Sequence, residues 1–172
     1  MLDQRRVLLR RALHLARRLP RSGPRRTKLG ARGDDVAERL RDETHRVHDA
    51  TGEHDYPGFC RVIWGAHVAE FSDLGESERA HLMRVVYAVE RAVRRVMQPN
   101  KVNLASLGNM VPHVHWHVIP RFSNDAHFPQ PVWAPRQRSV SEALLRSRAA
   151  QASLLHNAVR EEIQRMTDSR QA

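Results

Sequence analysis

Three histidines alternate with apolar residues in the stretch His113-Val-His-Trp-His-Val-Ile119. Successive side chains of a β-strand point to opposite faces, so His113, His115 and His117 would project from one face while the apolar residues pack on the other. Neighbouring imidazoles on that face start about 6.6 Å apart along the strand. Three histidines on one face, backed by an apolar face, indicate a chemical site rather than a packing role.

Two kinds of chemistry fit this spacing. Neutral imidazoles are common metal ligands, so the three histidines could serve a metal-dependent hydrolase. Structural zinc normally takes four ligands, often cysteines, and Cys60 is the only cysteine in the chain. An imidazole with a reference pKa of about 6.5 is also a good nucleophile at neutral pH, so the central histidine could instead act by nucleophilic catalysis. That second chemistry needs no metal and no cofactor, and we expect none.

The sequence around the histidines predicts the elements that position them. Strands are expected at residues 59–64, 101–107 and 113–119, the last stopped by Pro120. An apolar stripe with a period near 3.6, Gly75 as N-cap and Glu78 three residues later predict a helix over about residues 76–97. Residues 139–167 can form one or two further helices. The fold class is therefore α+β: an antiparallel sheet that holds the histidine strand, packed against helix 76–97, with a C-terminal helix.

The charge and the aromatic residues are unevenly distributed. The net charge is +10, but residues 1–48 hold 14 Lys and Arg against 6 Asp and Glu, whereas residues 49–172 hold 15 against 13. All nine aromatic residues lie between Tyr56 and Trp133, so the core should begin near residue 56. Apolar runs are too short for a membrane span, and nucleic acid is an expected partner only through residues 1–48. A single cysteine fits a reducing, cytoplasmic location.

We divide the chain into a basic segment at residues 1–55, a domain at residues 56–135 and a C-terminal helical extension at residues 136–172. Residues 35–55 show neither strand alternation nor a helical stripe, and their histidines are expected to be solvated, as is His81. Arg-, Ala-, Pro-, Gly- and His-rich sequence is also what GC-rich DNA yields in a shifted reading frame. We therefore hypothesise that residues 1–55 are mobile, or a frame-shifted or replaced segment; the alternative is a genuine basic extension.

The histidine stretch and its flanks, from Asn103 to Arg121, resemble the signature of the histidine triad (HIT) nucleotide hydrolases and transferases, His-φ-His-φ-His-φ-φ with φ apolar. The segment from Tyr56-Pro-Gly to His67-Val is similar to a second stretch of that family, with Phe59 in place of a histidine. The resemblance covers about residues 56–135.

The resemblance implies a role for six residues. His115 would attack the α-phosphorus of a nucleotide and form a covalent nucleotidyl-histidine, with its second nitrogen held by a backbone carbonyl. His117 would donate a hydrogen bond to a phosphate oxygen, and His113 would join a network with His67. Two asparagines would contact the phosphate: Asn103 and Asn109.

The implied activity is hydrolysis or transfer at the α-phosphate of a dinucleoside polyphosphate, a phosphoramidate or an adenylylated conjugate, by a homodimer. The alternatives are a metal-dependent hydrolase and a non-catalytic nucleotide- or RNA-binding protein with a basic arm. Without strands before residue 56, the nucleoside side of the site is expected to be incomplete.

Overall fold

The structure is a computed structural model that describes residues 44–49 and 53–168. The interpretations of residues 1–43, including the basic arm and the shifted reading frame, lie outside the described residues. The division of the chain into three segments stays a prediction.

Within the described ranges, four strands form one antiparallel sheet, which confirms the expected fold class. The strands are β1 (His45–Asp49), β2 (Cys60–Trp64), β3 (Lys101–Ala105) and β4 (His115–Arg121). Their order across the sheet is β1-β2-β4-β3. The strand that carries the histidines is thus flanked on both sides by hydrogen-bonded neighbours, so its side chains are held in a fixed register.

A tight turn ahead of β2 requires a glycine. Gly58 has a φ of 84°, a left-handed conformation that residues with a side chain rarely adopt. A Cβ atom there would also lie 3.1 Å from the side chain of Leu155 and 3.2 Å from that of Met97. The Pro57-Gly58 turn therefore brings the chain into β2 close against the helical layer.

Helix α1 spans Glu76–Met97, as the sequence predicts. The backbone N–H of Gly75 donates to Glu78 Oε2 at 2.6 Å, which satisfies a donor at the start of the helix. Gln98 caps the end of the helix with a left-handed φ of 45°, and Pro99 cannot continue it.

The core lies between α1 and one face of the sheet. Val62 and Val118 from the central strands are fully buried against the apolar stripe of α1. Two further helices, α2 (Glu142–Ala152) and α3 (Leu155–Asp168), follow, and Leu155 of α3 joins the same core. Among the described residues, no helix is long and apolar enough to cross a bilayer.

The expectation that residues 35–55 lack a strand is wrong at β1. This strand pairs antiparallel with β2, and Val47 and His45 are buried, at 7% and 2% exposure. His45 is therefore not solvated; its ring lies 5.2 Å from that of half-buried His81. Of the side chains that the structure describes in β1, two are buried, and one of these is the polar imidazole of His45. Hydropathy therefore does not reveal the alternation of this strand.

The limits of the histidine strand also differ from those expected. β4 begins at His115, two residues late, and continues through Pro120 to Arg121. Pairing with β2 ends at Val118, so Pro120 pairs only with Val102 of β3. At Pro120 the strand has a hydrogen-bonded neighbour on one side only. A proline is tolerated there because its lack of an N–H removes at most one hydrogen bond of the sheet.

The buried face of β1 can be tested by comparing two substitutions on the same strand. Val47→Lys places a charge in the core and should lower the free energy of unfolding by more than about 2 kcal/mol. Arg46→Gln, on the opposite face, should change it by less than about 0.5 kcal/mol. Denaturant unfolding of the full chain measures both; equal and small effects would mean that β1 does not pack as described.

Candidate active site

The register of the sheet places the second and third histidines on the face away from α1. His117 pairs with Arg61 of β2 and with Ala105 of β3, and His115 pairs with Ile63 of β2. The apolar residues between and beside the histidines turn the other way: Val114 and Val118 are buried in the core, and Trp116 packs against it. The alternation expected from the sequence is thus what orients the site.

His115 has a defined tautomer. Its Nδ1 lies 2.7 Å from the carbonyl oxygen of His113, and because a carbonyl can only accept, Nδ1–H must donate. The Nε2 atom of neutral His115 then carries a lone pair. It lies 3.0 Å from His117 Nε2, which can donate its own N–H to that lone pair.

Burial keeps both rings neutral at physiological pH. It lowers the pKa of His115 below its usual value; the hydrogen bond to the His113 carbonyl opposes this shift, and the charge of Arg61 adds to it. Burial, with His115 and Arg61 nearby, lowers the pKa of His117 to about 3. A neutral His115 has its Nε2 lone pair available to attack an electrophile, whereas a protonated one would not.

The side chain of His113 makes its hydrogen bonds away from the nucleophilic nitrogen of His115. His113 Nε2–H donates to the carbonyl oxygen of Trp64 at 2.7 Å, so its Nδ1 accepts from His67 Nδ1–H at 3.1 Å. The structure therefore brings His67 and His113 together, as the resemblance implies. Because both ring nitrogens of His113 are hydrogen-bonded, neither is available to bind the same ligand as His115. No three His, Cys, Asp or Glu side chains in the described ranges are grouped as metal ligands would be.

The two asparagines are placed differently. Asn103 pairs with Ile119 and so shares the face of His117; its Oδ1 accepts from Arg121 Nη1 at 2.7 Å. This bond fixes which side of the amide is oxygen, and the NH₂ group is turned away from Arg121. Asn109 lies exposed in the loop between β3 and β4, and its side chain makes no hydrogen bond to the histidines.

A buried ion pair at the end of β4 was missed by the sequence interpretation. Arg121 Nε donates to Asp125 Oδ2 at 2.7 Å and Nη2 donates to Oδ1 at 3.1 Å. Backbone N–H groups of Phe122, His127 and Phe128 also donate to this carboxylate. Burial by itself would raise the pKa of Asp125, but these bonds outweigh it and lower that pKa to about 2. An acid four residues after the arginine that ends the strand is the signal that could have revealed the pair.

Two aromatic rings enclose His117. The Phe59 ring is buried and meets the imidazole edge-on, with 5.4 Å between ring centroids. Trp133, half exposed, meets it edge-on at 5.5 Å. Trp133 belongs to the irregular segment after β4, whose first turn is organised by the Asp125 carboxylate. The Arg121–Asp125 ion pair therefore helps to position Trp133, which forms one wall of the site.

This geometry agrees with the comparisons with known proteins. Residues 41–124 match the HIT domain family, a range that includes β1. A histidine triad protein of Bradyrhizobium japonicum is 31% identical, with a TM-score of 0.53 over 70% of this chain and 84% of that chain. A histidine triad protein of Marinobacter aquaeolei VT8 is 25% identical, with a TM-score of 0.53 over 70% and 88%. The chain belongs to the histidine triad family.

A curated relative carries a more specific name. An AP-4-A phosphorylase of Mycobacterium tuberculosis is 32% identical over 78 residues, which is 42% of this chain and 40% of the relative. The chain therefore spans well under half the length of the curated relatives that it matches.

The buried Arg121–Asp125 ion pair should contribute more to the free energy of unfolding than an exposed ion pair does. Asp125→Ala leaves the buried Arg121 guanidinium without its carboxylate, and we expect a loss of about 3–5 kcal/mol in the free energy of unfolding. Arg136→Ala removes a pair of partly exposed side chains, Arg136 and Asp55, at 2.6 Å. That control should cost less than about 1 kcal/mol. Comparable losses in urea unfolding would contradict the role given to Asp125.

Proposed function

We propose that the protein transfers a nucleotidyl group from a nucleotide conjugate to water or another acceptor through a covalent nucleotidyl-His115. The observation that carries this proposal is the hydrogen bond from His115 Nδ1 to the carbonyl of His113, which leaves Nε2 unprotonated. A half-buried imidazole in that state is a nucleophile that needs no activating metal.

The first step forms one bond and breaks one. The Nε2 lone pair of His115 attacks the α-phosphorus, and the bond from phosphorus to the leaving group breaks with its electron pair going to that group; an amine leaving group takes a proton from solvent as it departs. The ring gains positive charge as the new P–N bond forms. The His113 carbonyl, which already accepts Nδ1–H at 2.7 Å, stabilises that charge.

The second step reverses the first with a different nucleophile. Water, or an acceptor such as an anion, attacks the same phosphorus, and the P–N bond breaks so that its electron pair returns to His115 Nε2. The proton lost by water passes to solvent or to the departed group. The neutral, Nδ1-protonated ring is thereby restored.

His117 is the proposed donor to the reacting phosphate. Its Nε2 lies 3.0 Å from the nucleophilic nitrogen, so a phosphate bound at that nitrogen also comes within hydrogen-bond distance of His117. Its N–H would then move from the His115 lone pair to a phosphate oxygen, which both frees the nucleophile and stabilises developing negative charge. Its low pKa means that it donates as a neutral ring.

The remaining residues of the site are proposed to position His115 and His117 or to bind the substrate. His113 and His67 are proposed to position the carbonyl behind His115, because the His113 ring is bonded both to the Trp64 carbonyl and to His67. Asn103 is proposed to give its amide N–H to the phosphate. Asn109 keeps its proposed phosphate contact only if substrate draws its loop inward.

The substrate class rests on the resemblance and on the relatives. We propose a dinucleoside polyphosphate, a phosphoramidate or an adenylylated conjugate, and the Mycobacterium tuberculosis relative is named for AP-4-A phosphorolysis. A homodimer and a cytoplasmic location stay predictions; a single cysteine, Cys60, which is buried, fits a reducing compartment. The metal-ligand alternative has less support, because both His113 nitrogens are engaged elsewhere.

Removal of the nucleophile tests the proposal. His115→Ala should lower kcat on diadenosine tetraphosphate by at least about 10³-fold, the scale seen when a catalytic nucleophile is lost. His54→Ala, a histidine with an exposed side chain, should leave kcat within about twofold. Circular dichroism of both variants checks that the fold is retained. Near-wild-type turnover by folded His115→Ala protein would contradict the assignment.

Chelation separates the nucleophilic proposal from the metal-dependent one. Prolonged treatment of the wild-type protein with a chelator should leave turnover largely intact. Loss of turnover that added zinc restores would favour the three histidines as ligands.

A further inference from the structure

Trp133 exposes a large aromatic surface beside the reactive histidines. The residue is 51% exposed, although its ring centroid lies only 5.5 Å from that of His117. Tyr87 is a comparably exposed aromatic residue, but it lies on α1, on the opposite side of the sheet. The mechanism above gives no role to the exposed indole surface of Trp133.

The sheet is covered on one side of Trp133 and open on the other. Ile119 leaves β4 on the same face as His117, yet it is 1% exposed, because it packs in a cluster with Phe59 and Val132. Phe59 is itself buried and offers no free ring face to a ligand. The covered part of this face therefore ends at His117, and Trp133 lies at the edge of the part that a substrate can reach.

The loop that carries Trp133 is held by hydrogen bonds within itself. The backbone N–H of Arg138 donates to the Ala126 carbonyl at 3.2 Å, which closes the loop. Arg138 Nη1 donates to the carbonyls of Asp125 and Phe128, each at 2.8 Å. A ring on a loop fixed in this way loses little conformational entropy when a ligand packs against it. The indole is thus preorganised as a contact surface.

The substrate class proposed above contains a group that fits an indole surface. A phosphate bound at His115 and His117 lies next to Trp133, because His117 contacts both the nucleophilic nitrogen and the indole ring. In a nucleotide, a ribose joins that phosphate to a flat aromatic base. Bases stack on tryptophan whatever their hydrogen-bonding pattern, since every base has a π-face.

We propose that Trp133 is the surface on which a nucleobase of the substrate stacks. This inference rests on the proposed nucleotidyl transfer and adds the residue that selects a nucleotide over a phosphate ester without a base. The base belongs to the transferred nucleotide or to a nucleoside in the leaving group, and the two sources can be separated by the choice of ligand. Trp133 contributes binding and takes no part in the bond changes at phosphorus.

Two pairs of ligands identify the base. AMP and ribose 5-phosphate differ by the base of the transferred nucleotide, whereas diadenosine tetraphosphate and adenosine 5′-tetraphosphate differ by the adenosine of the leaving group. In a His115→Ala background, which prevents turnover, Trp133→Ala should weaken the calorimetric Kd of diadenosine tetraphosphate by about 5- to 150-fold, the range for loss of one stacked base, and change that of ribose 5-phosphate by less than about twofold. A similar loss for AMP assigns the base of the transferred nucleotide. A loss confined to diadenosine tetraphosphate assigns the base of the leaving group.

Fluorescence gives a signature that a purely structural role would not produce. Stacking should quench the emission of Trp133 when diadenosine tetraphosphate is added, and ribose 5-phosphate should leave the emission unchanged. Trp133→Phe should abolish this quenching while it keeps part of the affinity, because a smaller aromatic ring remains. Tyr87→Ala, which removes an exposed aromatic ring from α1, is the matched control and should change neither the Kd values nor the quenching.

Turnover separates failure of this inference from failure of the proposed function. Trp133→Ala should raise KM for diadenosine tetraphosphate and leave kcat within about threefold, because a stacked base is bound alike in the ground and transition states. If the wild type turns over no nucleotide conjugate, the proposed function is wrong and the Kd values still decide the role of Trp133. A fall in kcat with KM unchanged, equal weakening of ribose 5-phosphate, no weakening of any ligand, or no binding of any would overturn that role.

Discussion

The hydrogen bond from His115 Nδ1–H to the carbonyl of His113 is the interaction on which the site depends, because it decides which nitrogen is nucleophilic. That carbonyl is held in place by the backbone of the next residue, Val114, and by the side chain of His113 itself. Trp64 N–H donates to the Val114 carbonyl at 3.0 Å, Val114 N–H donates to the Val68 carbonyl at 2.8 Å, and the His113 ring is tied to Trp64. The pairing of the two central strands therefore extends into the chain just before β4 and sets the chemistry of its first residue.

The other end of β4 is fixed by charge. Arg121 and Asp125 are buried, and such a pair is tolerated only when hydrogen bonds satisfy both ions. Here the carboxylate takes the guanidinium and three backbone N–H groups, and the guanidinium also reaches Asn103 and the carbonyl of Gln130. The same network therefore joins β3, β4 and the segment that carries Trp133. A strand seven residues long is thus fixed at both ends, with His115 and His117 near its start.

The sequence was informative wherever one apolar face met one polar face. β2, β4 and α1 have one apolar and one polar face, and all three were predicted. For α1 the predicted limits agree with those of the structure. β1 breaks the rule, since His45 takes an inward position where an apolar residue would have revealed the strand. From the sequence alone, Pro120 predicts the end of the strand. Whether a proline is tolerated there depends on where the neighbouring strand ends, which is a property of the whole sheet. The triad could be found from spacing alone, whereas Arg61 required the strand register to connect it with His117.

The stereochemical course at the α-phosphorus tests the central claim most directly. With a substrate made chiral at that phosphorus by sulfur substitution and with isotopically labelled water, the configuration of the nucleotide product counts the displacements. Attack by His115 followed by attack of water inverts the phosphorus twice, so the account predicts overall retention. Overall inversion would mean that water attacks directly, with the histidines binding or activating it, and would contradict a covalent nucleotidyl-His115.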